Sequence, residues 1–511
     1  MLEESRAGGS LRPRWWQRRS VALLLVALAA VPLLWPAIPP LTDLPGHIGR
    51  FTIMAEAGQG PLAQHYHVIW KLIGNLGVDG LVLLLAPLVG LEPATKLIVL
   101  AIPMLSVAAM LWLSRAVHGR IPPTTLFALP LAYAAPFQFG FVNFSLAVAL
   151  VIAALALWLR LARRSPAWVR LVAFVPIAGA IWLCHAFGWA LLGLFVAGAE
   201  LALRRERGQG WWRAAVGAAA MCVPMVLPVL VIMASGGGAA VGATGRWFDF
   251  SLKLYWATSL LRERWQLYDV LSALGLFLLV IVAWRSPRLS FAPLLGLPAL
   301  FGAAAFLLLP AFYAGASYVD MRVLPATLML CLLAIRVAPG QERFAGHLAA
   351  IGASFFILRL ATSTIAFLLF AQGQAAALAG IDTLPQGAAV LVLVNEPAAD
   401  NWHNPRLGHI AGLATARRRV FTNEQWALAG QQLVVPLHPA AAPYDRDPSQ
   451  LVYPASVKDG TDFDTAIARF DRGAFGYVWT IGFPPGRARA PDLVIVWSDG
   501  DDAIYRVVSR R

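Results

Sequence analysis

An acid, an imidazole and a guanidinium fall within eight residues at Asp43, His47 and Arg50, in the string Pro39-Pro40-Leu41-Thr42-Asp43-Leu44-Pro45-Gly46-His47-Ile48-Gly49-Arg50. The string follows directly on the first apolar run, where a membrane span meets water. Charged groups are costly inside a bilayer, so an ionisable cluster at its edge is the first place to look for chemistry. Asp43 and His47 are four residues apart. A helix starting near Pro45 leaves both near its first turn, where free amide groups and the helix dipole favour an anion. The plainer alternative is a polar loop that caps a span.

The elements that must position these groups are apolar. Hydrophobic residues make up 59% and charged residues 13% of the 511 positions, against roughly 25% charged in a soluble domain. Mean hydropathy is +0.66. The expected class is an all-α polytopic membrane domain. The formal net charge of +14 comes from short basic clusters between apolar runs, the pattern of orientation signals rather than of a nucleic-acid footprint. The lipid bilayer, not nucleic acid, is the implied partner. The first apolar run, 20–39, is long enough to span, and no small-residue cleavage site precedes the Asp43 string, so it reads as a retained span. Cys184, Cys222 and Cys331 lie in or at the end of apolar runs without metal-ligand spacing, which argues against disulfides and structural zinc. Richness in Ala, Arg, Gly and Pro suggests a GC-rich bacterial genome.

Arg12, Arg14, Arg18 and Arg19 place the N-terminal segment, 1–19, in the cytoplasm. Spans are expected at about 20–39, 98–116, 123–138, 143–160, 168–185, 188–203, 213–234, 267–285, 290–312, 322–338 and 346–372. That makes eleven, within a membrane domain over 20–375, and leaves the C-terminus outside. Segments assigned to the cytoplasm carry 19 Lys and Arg against 8 in the short outer loops, as the positive-inside rule demands. The expected location is therefore a bacterial inner membrane, with the N-terminus cytoplasmic and the C-terminus periplasmic.

The apolar segment 72–91, with Asn75, Asp79 and four glycines, breaks this parity if it crosses. It is expected to be an interfacial or re-entrant helix, making 40–97 one long outer loop. From 376 to 511 the pattern changes to a small α/β domain. Strands are expected at 388–394 and 476–481, a helix at 405–413, and a hairpin from 492–497 and 503–508 around Asp499-Gly500.

Three features together resemble the GT-C superfamily of polyprenyl-phosphate-sugar glycosyltransferases, which includes protein O-mannosyltransferases and lipid A aminoarabinose transferases. They are an N-in first span, an acidic motif immediately outside it, and a long first outer loop with juxtamembrane helices. The stretch Leu91-Glu92-Pro93-Ala94-Thr95-Lys96, leading into a span that ends at Arg115-Ala116-Val117-His118-Gly119-Arg120, is similar to the superfamily's second-span pattern. The resemblance covers residues 12–200 and, more loosely, the later spans. It implies inverting transfer from a polyprenyl-phosphate sugar to a glycan, lipid or protein acceptor at the periplasmic face, with Asp43 as general base. A hydroxyl is a weak nucleophile, so a carboxylate must take its proton as the new bond forms. The leaving lipid phosphate needs cations, and Arg50 is the first candidate, ahead of Lys71 and Arg322. Two departures stand out. Relatives often carry Asp-Glu where this chain has Asp43-Leu44, and the second outer loop, Gln138 to Phe144, has no acid. In the metal-dependent branch that loop supplies a carboxylate to the cation, so no metal cofactor is expected here.

Other polar residues each carry two readings. His47 lies in the motif as a substrate-binding candidate. His185, at the outer end of a span, could contact acceptor or phosphate, or hydrogen-bond a neighbouring helix. Asp320 and Arg322 could bind donor or form a local ion pair. Asp79 is expected on the wet face of its helix, and His65 and His67 lack the further ligands of a metal site. Trp247, Tyr255, Trp256 and Trp265 read as an interfacial belt or a lid over a sugar. Two other functions compete with transfer: a non-catalytic scaffold with a partner-binding periplasmic domain, and a transporter or flippase. The latter calls for ionisable groups at mid-span, which the apolar runs nearly lack.

Overall fold

The computed structural model describes residues 14–234, 242–396, 402–428, 430–453 and 461–508, so Arg12 of the basic N-terminal cluster lies outside the described residues. Among them, seven helices are long and apolar enough to cross a membrane: Leu91–His118, Val142–Arg164, Ala167–Cys184, Ala186–Glu206, Trp211–Ala234, Gln266–Arg285 and Glu342–Thr383. The protein is a multi-pass membrane protein.

The other four expected spans are present but shorter or broken. The first is two pieces, Arg19–Leu28 and Val31–Leu34, while Pro293–Leu308 and Val319–Ala334 hold 16 residues each. Sixteen residues rise roughly 24 Å, short of the roughly 30 Å of a hydrocarbon core. The segment 123–138 is not one helix. It breaks into Thr125–Ala128, a 3-10 turn Leu129–Tyr133, and Ala135–Gln138. Pro122, Pro123, Pro130 and Pro136 explain the breaks, since each lacks an N–H and crowds the preceding turn. Irregular backbone at membrane depth must be enclosed by protein, and 121–138 is buried at every position but Phe127. This broken strut carries Gln138 and Gly140 to the site.

The two ends of the bundle differ. At one end Trp16 Nε1 donates to the Ile121 carbonyl at 3.1 Å, Arg163 Nη1 to the Ala116 carbonyl at 2.5 Å, and Arg14 pairs with Glu342 at 3.3 Å. The arginine anchors therefore gather there. The opposite end carries Asp43, Gln138, His185 and Tyr318 and meets the C-terminal unit. Between the ends, large apolar side chains such as Leu84, Leu88, Val231, Leu267, Leu300 and Ile351 face outward, as a surface against lipid requires.

Residues 72–91 form a helix only over Gly77–Val89. Asn75 Nδ2 donates to the Gln431 carbonyl at 3.3 Å before it, and Glu92 pairs with Arg417 at 2.7 Å after it. Both flanks touch the same C-terminal unit, so the chain enters and leaves this helix at one end of the bundle.

The C-terminal unit is a five-stranded sheet in the order 493–499, 502–507, 477–481, 389–394, 421–422. Ala389–Val394 pairs in parallel with 477–481 and 421–422, and the last two strands form the expected hairpin. The expected helix over 405–413 instead runs Ala411–Arg418, with turns before it. The unit is not separate from the outer loop. Tyr66–Val68 pairs antiparallel with Val434–Pro436, and Ile53, Met54, Leu62 and Tyr66 share one core with Leu391, Phe421, Phe463 and Tyr505. The helix Leu44–Glu56 is buried from Leu44 to Met54 between the two halves. Gly412 allows that enclosure: a Cβ there would lie 2.2 Å from the Pro45 carbonyl oxygen.

Candidate active site

Asp43 is the residue before the first turn of the Leu44–Glu56 helix, with Pro45 in that turn, but its carboxylate does not cap it. Its backbone N–H instead donates to the Phe139 carbonyl at 2.9 Å, and the N–H of Thr42 donates to the Gln138 carbonyl at 3.4 Å. The broken strut thus holds the Asp43 backbone by its carbonyls. Gly140 makes the approach: its φ is +87°, and a Cβ would stand 2.8 Å from the Asp43 nitrogen. The carboxylate is half-buried and has no hydrogen bond to any described residue. Burial pushes its pKa from 3.8 up to about 6, with His409 opposing, Asp447 adding, and Arg322 and Arg50 opposing. A carboxyl titrating near 6 is ionised at neutral pH yet a stronger base than an ordinary aspartate, as general-base work favours.

The groups that set this value come from distant parts of the chain. His409 is held between two acids, with Nδ1 3.1 Å from Glu424 Oε2 and Nε2 3.7 Å from Asp447 Oδ1. Burial pulls its pKa down, but the Glu424 hydrogen bond and the charges of Asp447, Asp43 and Glu424 outweigh it and bring it up to about 9. His409 is therefore an imidazolium at neutral pH. The Trp426 ring lies 4.4 Å from the His409 ring and 5.0 Å from that of His47, which joins the imidazolium to the Asp43 helix. His47 donates from Nε2 to the Gly140 carbonyl at 3.2 Å and is held neutral, by burial first and then by Arg50 and His409.

Arg322 completes the set. Its guanidinium lies 4.1 Å from the Phe141 ring centroid, with Phe144 and Phe187 also beneath 6 Å. It donates to the Ser317 carbonyl at 3.1 Å and meets His185 Nε2 at 3.3 Å. No described carboxylate lies within salt-bridge distance of it, and its buried Nε has no hydrogen-bond partner among the described residues. A cation held on aromatic faces, with a carboxylate in electrostatic reach but none bonded, is suited to an incoming phosphate. Beside it Tyr318 takes a left-handed conformation, φ +58°, which is uncommon for a residue with a Cβ. Its ring is 5.7 Å from Phe139 and 5.2 Å from Trp256, forming an aromatic wall.

The structure distributes the sequence candidates unevenly. Asp43, His47, Arg322 and His185 converge. Arg50 is near but engaged: it pairs with Asp79 at 2.8 Å and donates to Gln432 at 2.7 Å, fully buried. Asp79 is accordingly not on a wet face, being 2% exposed and also accepting from Asn143 at 2.8 Å. Asp320 pairs with Lys253 at 3.0 Å rather than with Arg322. Lys71 is exposed. Of the four aromatics, Trp256 is buried while Trp247, Tyr255 and Trp265 are exposed.

Sequence reasoning named none of His409, Glu424, Asp447 and Arg406, all of which lie in the C-terminal unit. Arg406 donates to the Pro40 carbonyl at 2.7 Å and to the Gln138 carbonyl at 2.9 Å, binding that unit to the strut. Gln138 passes the contact to Glu263 at 2.9 Å, and Arg359, beside Glu263, pairs with Asp269 at 2.7 Å. Glu200, Asp269 and Arg359 correct the expectation of spans nearly free of charge, yet each is fixed in an ion pair, Glu200 with Arg170 and Arg204. Among the described residues no three of His, Cys, Asp and Glu are placed to hold a metal ion.

Against solved structures, the chain is similar to ArnT from Cupriavidus metallidurans in the apo state, with 14% identity over 95% of this chain and 97% of that one and a TM-score of 0.53. This protein has the GT-C fold. A second crystal structure of the same ArnT, bound to undecaprenyl phosphate, superposes with 13% identity over 95% of this chain and 96% of that one and a TM-score of 0.49. The sequence matches no described protein family and no curated protein. At this identity the likeness establishes the fold alone, and the GT-C arrangement is here built from residues largely its own.

Proposed function

We propose that this protein transfers a sugar from a polyprenyl-phosphate donor to an acceptor at the periplasmic face of a bacterial inner membrane. The observation that carries the reading is the pairing of Asp43, unbonded and titrating near 6, with Arg322, a guanidinium without a bonded carboxylate. The GT-C fold supports the same class of reaction, and ArnT, the similar protein, has been crystallised with undecaprenyl phosphate.

In the proposed step an acceptor hydroxyl attacks the anomeric carbon while its proton passes to Asp43. The bond from that carbon to the phosphate oxygen breaks with inversion. Its electron pair stays on the lipid phosphate, whose charge Arg322 stabilises. His409 holds Asp43 ionised at neutral pH, and the aromatic wall of Phe139, Tyr318 and Trp256 offers ring faces to the sugar or the prenyl chain. His185, bonded to Arg322 and capping the Ala186–Glu206 helix through the Phe187 N–H at 3.1 Å, orients the cation. With the base and the cation both supplied by side chains, no metal is needed, and EDTA is expected to leave the rate unchanged.

The test is release of polyprenyl phosphate from a labelled polyprenyl-phosphate sugar by the purified protein in nanodiscs, together with a lipid and glycan comparison of deletion and Asp43→Ala strains. Loss of the same product in both strains supports transfer. A deletion phenotype that Asp43→Ala does not share would replace this reading with a scaffold whose C-terminal unit binds a partner.

A further inference from the structure

At the end of the bundle away from Asp43, four arginines face one cavity. It measures about 630 Å³ and is lined by Arg14, Arg120, Arg163 and Arg336, with Glu206 and Glu342 as its acids. It is built by the segment before the first span, the Val117–Pro123 corner, the ends of the Val142–Arg164 and Ala186–Glu206 helices, the start of the Glu342–Leu378 helix, and the facing strands Leu289–Phe291 and Ile335–Val337, paired through Ser290 and Arg336. The corner is fixed by Trp16, whose buried indole donates to the Ile121 carbonyl at 3.1 Å. The facing strands are fixed by Arg336 Nε donating to Ser290 Oγ at 3.0 Å.

The charges are not balanced within the cavity. Glu342 is engaged with Arg14 at 3.3 Å. Arg163 uses Nη1 and Nη2 on the carbonyls of Ala116 and Val117, which leaves its charge uncompensated. Arg336 has its two Nη groups without a hydrogen bond to any described residue, and Arg120 has none at all. Positive-inside anchoring explains basic residues at this level of a membrane. It does not require them to converge on one cavity. Pro122, Pro123, Pro293 and Leu294 add apolar surface, beside the polar Gln17, His118 and Gln341.

We propose that this cavity is a binding site for a phosphate group carried by an amphiphile, the headgroup of an anionic phospholipid. Planar guanidinium forks match phosphate oxygens in pairs, and basic pockets at the ends of membrane helices suit anionic headgroups. Arg120 and the Nη groups of Arg336 hold the phosphate, Arg163 adds field, and the proline corner takes the glycerol and upper acyl chain. The site is independent of the Asp43 reading, since it shares no residue with it.

The test is retention of phosphatidylglycerol or phosphatidylcholine by the full-length protein, stripped in detergent and read by native mass spectrometry. Wild type is expected to keep phosphatidylglycerol over phosphatidylcholine, and Arg120→Gln with Arg336→Gln to lose it by about tenfold or more. Arg213→Gln, on the same end but outside the cavity, is expected to retain it. Inorganic phosphate is the second arm. If millimolar phosphate displaces the lipid, the site is a phosphate site open to free anions; if it does not, the site belongs to the headgroup. Unchanged retention in the double variant, or equal loss in Arg213→Gln, overturns the proposal. Should the double variant not fold, Arg120→Gln alone removes an exposed side chain without described bonds and carries the same expectation in weaker form.

Discussion

Replacing Asp43 by Asn separates catalysis from structure, because the two roles move in opposite directions. Asn keeps the shape of the side chain and removes its basicity, so turnover is expected to fall by roughly 10²–10⁴-fold, or about 3–5 kcal/mol of barrier. With a pKa of about 6 in the folded protein, the wild-type rate should rise tenfold per pH unit below about 6 and level off above it. At pH 7 about nine-tenths of Asp43 is then ionised. The residual rate of the variant should lose that acid limb. Stability is expected to change the other way. A carboxyl raised from 3.8 to about 6 binds its proton more tightly when folded, so native stability declines as pH rises from about 4 to about 6 and is flat above. The gap corresponds to at most about 3 kcal/mol, reduced by solvent screening at a half-buried group. Asp43→Asn should therefore match wild type near pH 4 and unfold at a higher temperature at pH 7. The assay is polyprenyl phosphate release in nanodiscs from pH 5 to 9, beside thermal unfolding at both pH values. A variant with the wild-type rate and acid limb refutes Asp43 as the base; a variant destabilised at pH 7 refutes the burial argument behind its pKa.

His409→Gln removes the charge that most lowers the Asp43 pKa, so the acid limb should move to higher pH by about one unit, read in the same rate profile. Arg322→Ala should weaken donor affinity about 10–100-fold, the worth of a charged hydrogen bond to phosphate, seen as a higher KM for the lipid donor. Arg50→Ala breaks a buried pair with Asp79 and should destabilise the protein by about 3–5 kcal/mol; a pure loss of donor affinity with unchanged unfolding would restore Arg50 to the phosphate site. Chelation by EDTA should leave turnover unaltered, and a loss restored by one divalent cation would show that the second outer loop is not the only place a metal can be held.

Hydrophobic runs and arginine clusters act locally, and they were legible. The run lengths defined eleven segments, the basic clusters marked the end of the bundle where Arg14, Arg163 and Glu342 meet, and the β-branched run at 388–394 marked a strand. Asp43 was legible too, since an acid beside a span stands out against an apolar background. What the tertiary structure decided was who keeps company with it. Arg50 and Asp79 lie 29 residues apart, and nothing in their spacing shows that they neutralise each other. His409 lies in turns within the stretch 405–413 that read as a helix, and nothing local marks it as a partner of Asp43. It reaches Asp43 only because Gly412 lets its helix close on Pro45, and because Arg406 grips the carbonyls of Pro40 and Gln138. The run 123–138 read as a single span; only the structure showed that its prolines break it, that the broken strut is buried, and that it presents its carbonyls to the Asp43 backbone. Residue types and their local order set where charge can exist in this chain. Burial and the approach of distant segments set the pKa of each charge and its partner, because desolvation and Coulomb terms depend on distances in space rather than along the sequence.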